Sequence, residues 1–272
     1  MLTLSSGAHA QKRVVSLGGD LTEIIYALGE ESRLVAADST SVYPEAANAI
    51  PKVGYIRRLS AEGVLSVEPD LILISGAAGP KEALEQLKAA GVKMVTLPTE
   101  YTPAIVIKKV QTVAAALNVE SKGDALVKTV RADIERAKKR VASLKSKPKV
   151  LFFASPPRGQ PSAAGKQTAA NGVIEMLGGK NVFASQIGYK PLTLESAVAA
   201  DPDVILVMTH HADRVGGVNE ILAHPALELT RAAKSKLVLA VDPVTVMQFG
   251  PRTPSAVADV AEEIEKLLAA KR

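Results

Sequence analysis

The sequence predicts an α/β protein of two Rossmann-like lobes, each a parallel sheet with crossover helices, joined by a single long linking helix, with a ligand cleft between the lobes. Three observations carry this prediction. Short β-branched and aliphatic runs alternate with amphipathic helical stretches over most of the 272 residues, a pattern that requires parallel strands connected by helices. The alternation breaks once, where two helical stretches follow each other between residues 102 and 144. One pattern also occurs twice: V-G-Y-I-R-R-L-S-A-E-G-V-L-S-V-E-P-D-L-I-L-I from Val53 to Ile74, and I-G-Y-K-P-L-T-L-E-S-A-V-A-A-D-P-D-V-I-L-V from Ile187 to Val207. Glu62 and Glu195 are 133 residues apart, as are Asp70 and Asp203. A unit this long, present twice, describes two matched lobes rather than a solenoid, which stacks three or more short repeats.

The elements follow in order. Val14 to Leu17 reads as a strand, Gly18-Gly19-Asp20 as a turn, and Leu21 to Leu28 as an amphipathic helix stopped by Gly29. Arg33 to Ala37 is a second strand. In each repeat a Ser or Thr ahead of a Glu and an apolar run marks a helix N-terminus, and Pro-Asp before the aliphatic run ends that helix and opens a buried strand. A Gly-rich turn over Gly76 to Pro80 leads to a helix from Lys81 to Ala90 and a strand from Lys93 to Leu97. Thr102 to Leu117 and Ser121 to Leu144 then read as helices. Val150 to Ala154 restarts the alternation, and Thr168 to Gly178 parallels the first helix, ending likewise in Leu-Gly. After the second repeat come a helix from Ala226 to Ala233, a strand from Leu237 to Val241 and a final helix from Pro254 to Ala270.

These boundaries divide the chain into a signal-peptide remnant at 1–10, an N-terminal lobe at 11–118, a linking helix at 119–147 and a C-terminal lobe at 148–272. One stiff helix permits less hinge motion than two or three extended crossovers. Ligands of open α/β sheets collect at the loop ends of the strands, which two facing lobes would bring together.

Composition excludes several functions. Cysteine is absent, which removes disulfides, thiolate metal sites and cysteine nucleophiles. Ala8-His9-Ala10 fits the small-x-small pattern before signal-peptidase cleavage, and equally a chance Ala-x-Ala. The net charge of +5 is not arranged for nucleic acid: between Lys122 and Lys149 basic residues alternate with Asp124, Asp133 and Glu135 as on a solvated helix. With 3% aromatic residues and no Trp there is little to stack bases on. His9, His210, His211 and His224 lack the i, i+4 spacing or converging carboxylates of a zinc site. No Walker A loop, G-x-S-x-G elbow, G-x-G-x-x-G fingerprint or H-E-x-x-H is present, so no enzyme is expected.

The segment V-G-Y-x-R-x-L-S-A-E-G around Tyr55, Arg57 and Glu62 resembles the periplasmic haem-binding proteins of bacterial haem ABC importers, members of the helix-linked class of solute-binding proteins that also includes vitamin B12 and siderophore binders. The resemblance runs from Lys12 to the C-terminus and takes in both repeats and the F-G-P-R-T-P segment at Phe249 to Pro254. It implies a monomeric periplasmic carrier that takes ferric protoporphyrin IX as its cargo and delivers it to the dimeric permease of an ABC importer. A ferric-siderophore or corrinoid binder of the same class is the alternative.

The resemblance makes Tyr55 the axial ligand of ferric haem. Anionic phenolate oxygen suits Fe(III), and ligation by a phenol at neutral pH needs the iron's charge and preferably a nearby cation. Arg57 returns to the side of Tyr55 and would hydrogen-bond the phenolate or a propionate; Arg58 either joins it or faces solvent. Taken singly, such a Gly-Tyr turn reads as a turn cap beside a surface arginine. Arg214, Arg252 and Lys166 are candidates for propionates, each equally a surface residue. Tyr189, followed by Lys190-Pro191 and lacking a counterpart of Arg57, reads as a cleft-rim residue, with a second ligand the sharper alternative. His210 or His211, just past a strand end, could approach the distal haem face, or are polar loop residues. The loop from Pro156 to Gln167 suits covering a flat macrocycle, or is a plain surface loop. Glu62 and Glu195 are implied to pair with permease arginines, and also suit helix N-termini.

Overall fold

A computed structural model describes residues 13–145, 147–154 and 160–270. The expected signal-peptide remnant at 1–10 and the first part of the 156–167 loop lie outside the described residues. Two compact units form. One comprises the described residues up to Thr99 with Thr112–Val119; the other comprises Glu100–Gln111 with the described residues from Glu120 onward.

The first unit contains β1 (Val14–Leu17), α1 (Gly19–Ala27), β2 (Leu34–Ala37), α2 (Ala61–Leu65), β3 (Leu71–Ser75), α3 (Lys81–Ala89) and β4 (Lys93–Leu97). Its sheet has the order β2-β1-β3-β4, and every pairing is parallel. β1 and the first four residues of β3 are buried throughout, which is why they read as unbroken apolar runs. Gly18 enters α1 at φ +148, and a Cβ there would lie 2.9 Å from Asp20 Oδ1. Only glycine allows this sharp strand-to-helix turn.

The second unit follows α4 (Pro103–Leu117), whose residues divide between the two units. It holds α5 (Glu120–Ala142), β5 (Lys149–Ala154), β6 (Ser162–Ala164), α6 (Ala169–Met176), β7 (Lys180–Asn181), β8 (Tyr189–Pro191), α7 (Leu194–Ala200), β9 (Val204–Met208), α8 (Thr209–Val215), α9 (Val218–Leu222), α10 (Arg231–Lys234), β10 (Val238–Val241), α11 (Pro243–Val246) and α12 (Thr253–Ala269). The sheet order is β10-β9-β5-β6-β8, with β7 also on β5. β10, β9, β5 and β7 pair in parallel, whereas β6 and β8 form an antiparallel ribbon. The parallel core is the one expected; the ribbon is an addition.

Several boundaries move. α5 was expected to link the lobes, yet its buried Gly123, Val127, Val130, Ile134 and Ala137 form a stripe at alternating four- and three-residue spacing. That stripe seats α5 within the second unit along α12, where Arg140 reaches Glu262 at 3.4 Å. The division into units therefore falls within α4 instead. The 156–167 segment contains β6. His210 and Arg214, read as loop residues, lie on α8, which ends at Gly216 with φ +99. The helix read from Ala226 to Ala233 shrinks to α10, because the Thr230 hydroxyl accepts the Ala233 N–H at 3.2 Å and starts the helix there.

Candidate functional site

Tyr55 sits on a turn that is fixed on both sides. Gly54, at φ +106, gives its carbonyl to the Ser39 N–H at 2.8 Å, and the Tyr55 carbonyl accepts the Arg58 N–H at 2.7 Å. Beyond the tyrosine, the Ile56 carbonyl accepts the Gly79 N–H and the Leu59 N–H donates to the Gly79 carbonyl, each at 2.9 Å. Ile56 and Leu59 are buried, while the Tyr55 side chain remains 43% exposed. The alternation of buried and exposed residues thus anchors the backbone and projects the phenol into solvent.

Arg57 and Arg58 are both exposed, and neither guanidinium has a hydrogen bond or ion pair among the described residues. Among the described residues Arg57 makes no hydrogen bond to the Tyr55 phenol, the first of the two partners expected for it. What the turn presents is a phenol with two uncompensated cations within three residues. Such an arrangement suits anionic ligand groups.

Glu62 and Glu195 occupy matching places. Each is the second residue of its helix, α2 or α7, and is exposed. Ser60 caps α2 by accepting the Gly63 N–H at 3.3 Å, and Thr193 caps α7 by accepting the Ser196 N–H at 3.2 Å. The Glu195 carboxyl is held below the ordinary range by its own backbone N–H and then by the Thr193 hydroxyl.

In the second unit, Tyr189 begins β8 opposite Ala164 of β6 and is 46% exposed. Lys166 lies just past β6 on an isolated parallel bridge to Ile187: its N–H donates to Gln186 at 2.7 Å and its carbonyl accepts the Gly188 N–H at 2.9 Å. The approach is close, since a Cβ on Gly165 would fall 2.3 Å from the Gln186 carbonyl oxygen. On α8, His210 and Arg214 are exposed, whereas His211 is only 8% exposed and its Nδ1 is buried without a hydrogen-bond partner. Burial above all, with the neighbouring His210 and Arg214, lowers His211 to about 4. Nothing in a single sequence separates the inward histidine from the outward one until the helix is placed.

Arg252 is half-buried and donates to Thr245 Oγ1 at 3.3 Å. Its turn is rigid: the buried Lys109 donates to the Gln248 and Phe249 carbonyls at 3.2 and 3.3 Å, and the Phe249 ring lies 5.4 Å from that of Tyr101. A cavity of about 660 Å³ lies in the same unit among α5, α6 and the start of α4, and none of the expected site residues lines it.

Over residues 14–245 the sequence matches the family described as periplasmic binding protein. The chain belongs to this family. Among curated relatives, an uncharacterised ABC transporter substrate-binding lipoprotein, YvrC of Bacillus subtilis, is 30% identical over 93% of this chain and 80% of its own. A vitamin B12-binding protein of Vibrio parahaemolyticus is 27% identical over 97% and 94%. Two solved structures are similar throughout. The apo periplasmic heme-binding protein RhuT of Roseiflexus sp. RS-1 shares 37% identity at a TM-score of 0.90, covering 94% of this chain and 99% of its own. The periplasmic heme-binding protein BhuT, in complex with two hemes, shares 39% with the same score and coverage.

This periplasmic binding protein is therefore one of a class of substrate-binding transport proteins rather than enzymes, and its family implies an ABC permease as partner and a place outside the cytoplasm. No helix among the described residues is long and apolar enough to cross a membrane.

Proposed function

We propose that this protein binds ferric haem in the periplasm as a monomer, with the Tyr55 phenolate as iron ligand, and delivers it to the permease of a haem ABC importer. The observation that carries the proposal is the exposed phenol on a doubly pinned turn, flanked by two arginines without partners. A hard anionic oxygen matches Fe(III), and fixed geometry lets the ligand bind iron without ordering a loop first. Arg57 and Arg58 offer donors to haem propionates. Arg214, Arg252 and Lys166 are further propionate donors in this reading, with Tyr189 and His210 bordering the ligand, and Glu62 and Glu195 meet the permease.

The relationship to a vitamin B12-binding protein supports a second reading, a corrinoid carrier. A corrinoid brings its metal already ligated within the macrocycle and does not need Tyr55. Titration with hemin and with cyanocobalamin separates the two. Saturable hemin binding with a phenolate-to-iron charge-transfer band that disappears in Tyr55→Phe supports haem. Tight cyanocobalamin binding, unaffected by Tyr55→Phe, would replace it.

A further inference from the structure

Between the end of β2 and Tyr55 the chain leaves the sheet for some fifteen residues and returns, and beside the buried Ala47 a buried polar cluster holds this excursion. The apolar cluster around Leu17, Leu59 and Ile72 includes none of residues 38–52. At the root of the excursion stands Asp38, fully buried. Its Oδ1 accepts the Gly18 N–H at 2.9 Å and the Ser41 hydroxyl at 3.0 Å; its Oδ2 accepts the Thr40 N–H at 2.9 Å and the Thr40 hydroxyl at 2.7 Å. The Thr22 hydroxyl bridges those of Ser16 and Ser41 at 2.8 Å each, tying the cluster to β1 and α1.

Where the excursion returns, Lys52 Nζ donates to the Ser41 carbonyl at 2.7 Å and the Ala47 carbonyl at 2.8 Å. Burial pulls this ammonium below the ordinary lysine value, and the charge of Asp38 opposes that pull. The backbone then registers against the end of β2. Ala37 pairs with Lys52 as a parallel bridge, the Val53 N–H donates to Ala37 at 3.0 Å, and the Ser39 N–H donates to Gly54 at 2.8 Å. Gly54 immediately precedes Tyr55, so the direction in which the phenol leaves the protein is set by the same short bonds.

We infer that Asp38 and Lys52 are positioning residues for Tyr55: the buried carboxylate fixes the root of the excursion, the ammonium closes it, and the Ser39–Gly54 bond between them sets the angle at which the phenolate meets its ligand. This rests on the reading of Tyr55 as the iron ligand. A group that orients a metal ligand without touching the metal usually changes affinity by about 10- to 100-fold when removed.

The test compares Lys52→Met, Lys52→Arg and Asp38→Asn in the full chain with Tyr55→Phe and with Val35→Ala, a β2 substitution that lowers stability without touching the polar cluster. In Lys52→Met, amide exchange over residues 53–58 of the hemin-free protein rises about tenfold. Hemin affinity falls about tenfold and the phenolate-to-iron band shifts. Lys52→Arg restores both in large part, and Asp38→Asn moves them the same way. The inference is overturned if Lys52→Met and Asp38→Asn keep the band and the affinity while Tyr55→Phe abolishes them, or if Val35→Ala produces the same shift. A band that survives in Tyr55→Phe removes the reading of Tyr55 itself, and the inference falls with it. Since Lys52 is an exposed residue, its variants remain informative should Asp38→Asn not fold.

Discussion

The Asp203 carboxylate accepts the backbone N–H of Lys149 at 2.8 Å, and Lys149 accepts the Asp203 N–H at 2.7 Å. At the equivalent point of the first repeat, Asp70 accepts the Arg13 N–H at 2.8 Å and Arg13 accepts the Asp70 N–H at 2.9 Å. Each pair clamps the start of one central strand, β5 or β1, to the residue before its neighbour. Removing the carboxylate leaves a strand-initiating N–H without its charged acceptor, at a cost of about 1 to 2 kcal/mol. Asp70→Ala is expected to speed amide exchange in Val14–Leu17 and not in β5; Asp203→Ala does the reverse. The effect of Asp203→Ala is the larger, because Arg231 also loses its 2.7 Å contact to Asp203. Exchange measured strand by strand checks this where a single unfolding midpoint for two units would not.

The repeats also share a strained backbone position. Glu68 and Asp201, each immediately before the proline of Pro-Asp, have φ of 46 and 45. A left-handed conformation costs a residue with a Cβ about 1 to 2 kcal/mol, partly offset by the chain entropy that glycine adds to the unfolded state. Glu68→Gly should therefore stabilise the first unit by about 0.5 to 1 kcal/mol. Asp201→Gly should gain less, since it gives up exposed ion pairs to Arg231 at 3.1 Å and Lys149 at 3.5 Å. Urea unfolding of the two variants, followed in each unit, tests the difference; an equal gain would contradict it.

What was legible in the sequence is what local pattern encodes. The capping residues Ser60 and Thr193 and the apolar runs of β3 and β9 recur in both repeats, so helix-then-strand followed in each, and the comparisons bear out the family and two-lobed class. The antiparallel ribbon was not legible, because Ser162–Ala164 and Tyr189–Pro191 are three residues each and carry no apolar alternation; only their pairing makes them strands. α8 was missed for a related reason: Met208 precedes it with no side-chain cap, and T-H-H-A-D-R-V carries no helical apolar period. The charges of α5 suggested a solvated helix, and on its outer face they are one, with Lys138 paired to Glu135 at 2.8 Å. The seam of small and β-branched residues beneath them decided where it packs. Asp38 gave no signal, since an Asp after a strand is most often a turn residue and its burial is a tertiary fact.

His211 makes stability depend on pH. Its folded value is about 4 against roughly 6.5 in an unfolded chain. Between these values the unfolded chain binds a proton that the native state excludes, so stability falls as pH drops from 6.5 to 4 and then levels off, by about 3 kcal/mol in all. His224, lowered by burial, adds a loss of the same sign. Urea midpoints of the second unit at pH 7 and pH 5 should differ clearly, and His211→Phe should remove at least half of that difference. An unchanged difference in the variant would show that the loss arises elsewhere.

In the proposed haem carrier, Glu62 and Glu195 offer the clearest separation of binding from delivery. Both are exposed at the second position of a capped helix, which gives the carboxylates fixed, corresponding places in the two units and leaves them open to a partner's cations. A two-fold permease presents the same cation twice, and matched acids on the carrier fix register and speed encounter more than they add affinity for cargo. Glu62→Lys and Glu195→Lys are each expected to slow hemin transfer to permease-containing vesicles by about tenfold, and the pair by more than either, while hemin affinity stays within about twofold of the parent. Glu→Gln at the same positions should have a smaller effect, and raising the salt concentration should narrow the gap between parent and variants, because the interaction is electrostatic at an exposed surface. Transfer that is unaffected by the double reversal would exclude these residues from the docking surface; a parallel loss of hemin affinity would mean that they act on the cargo site instead.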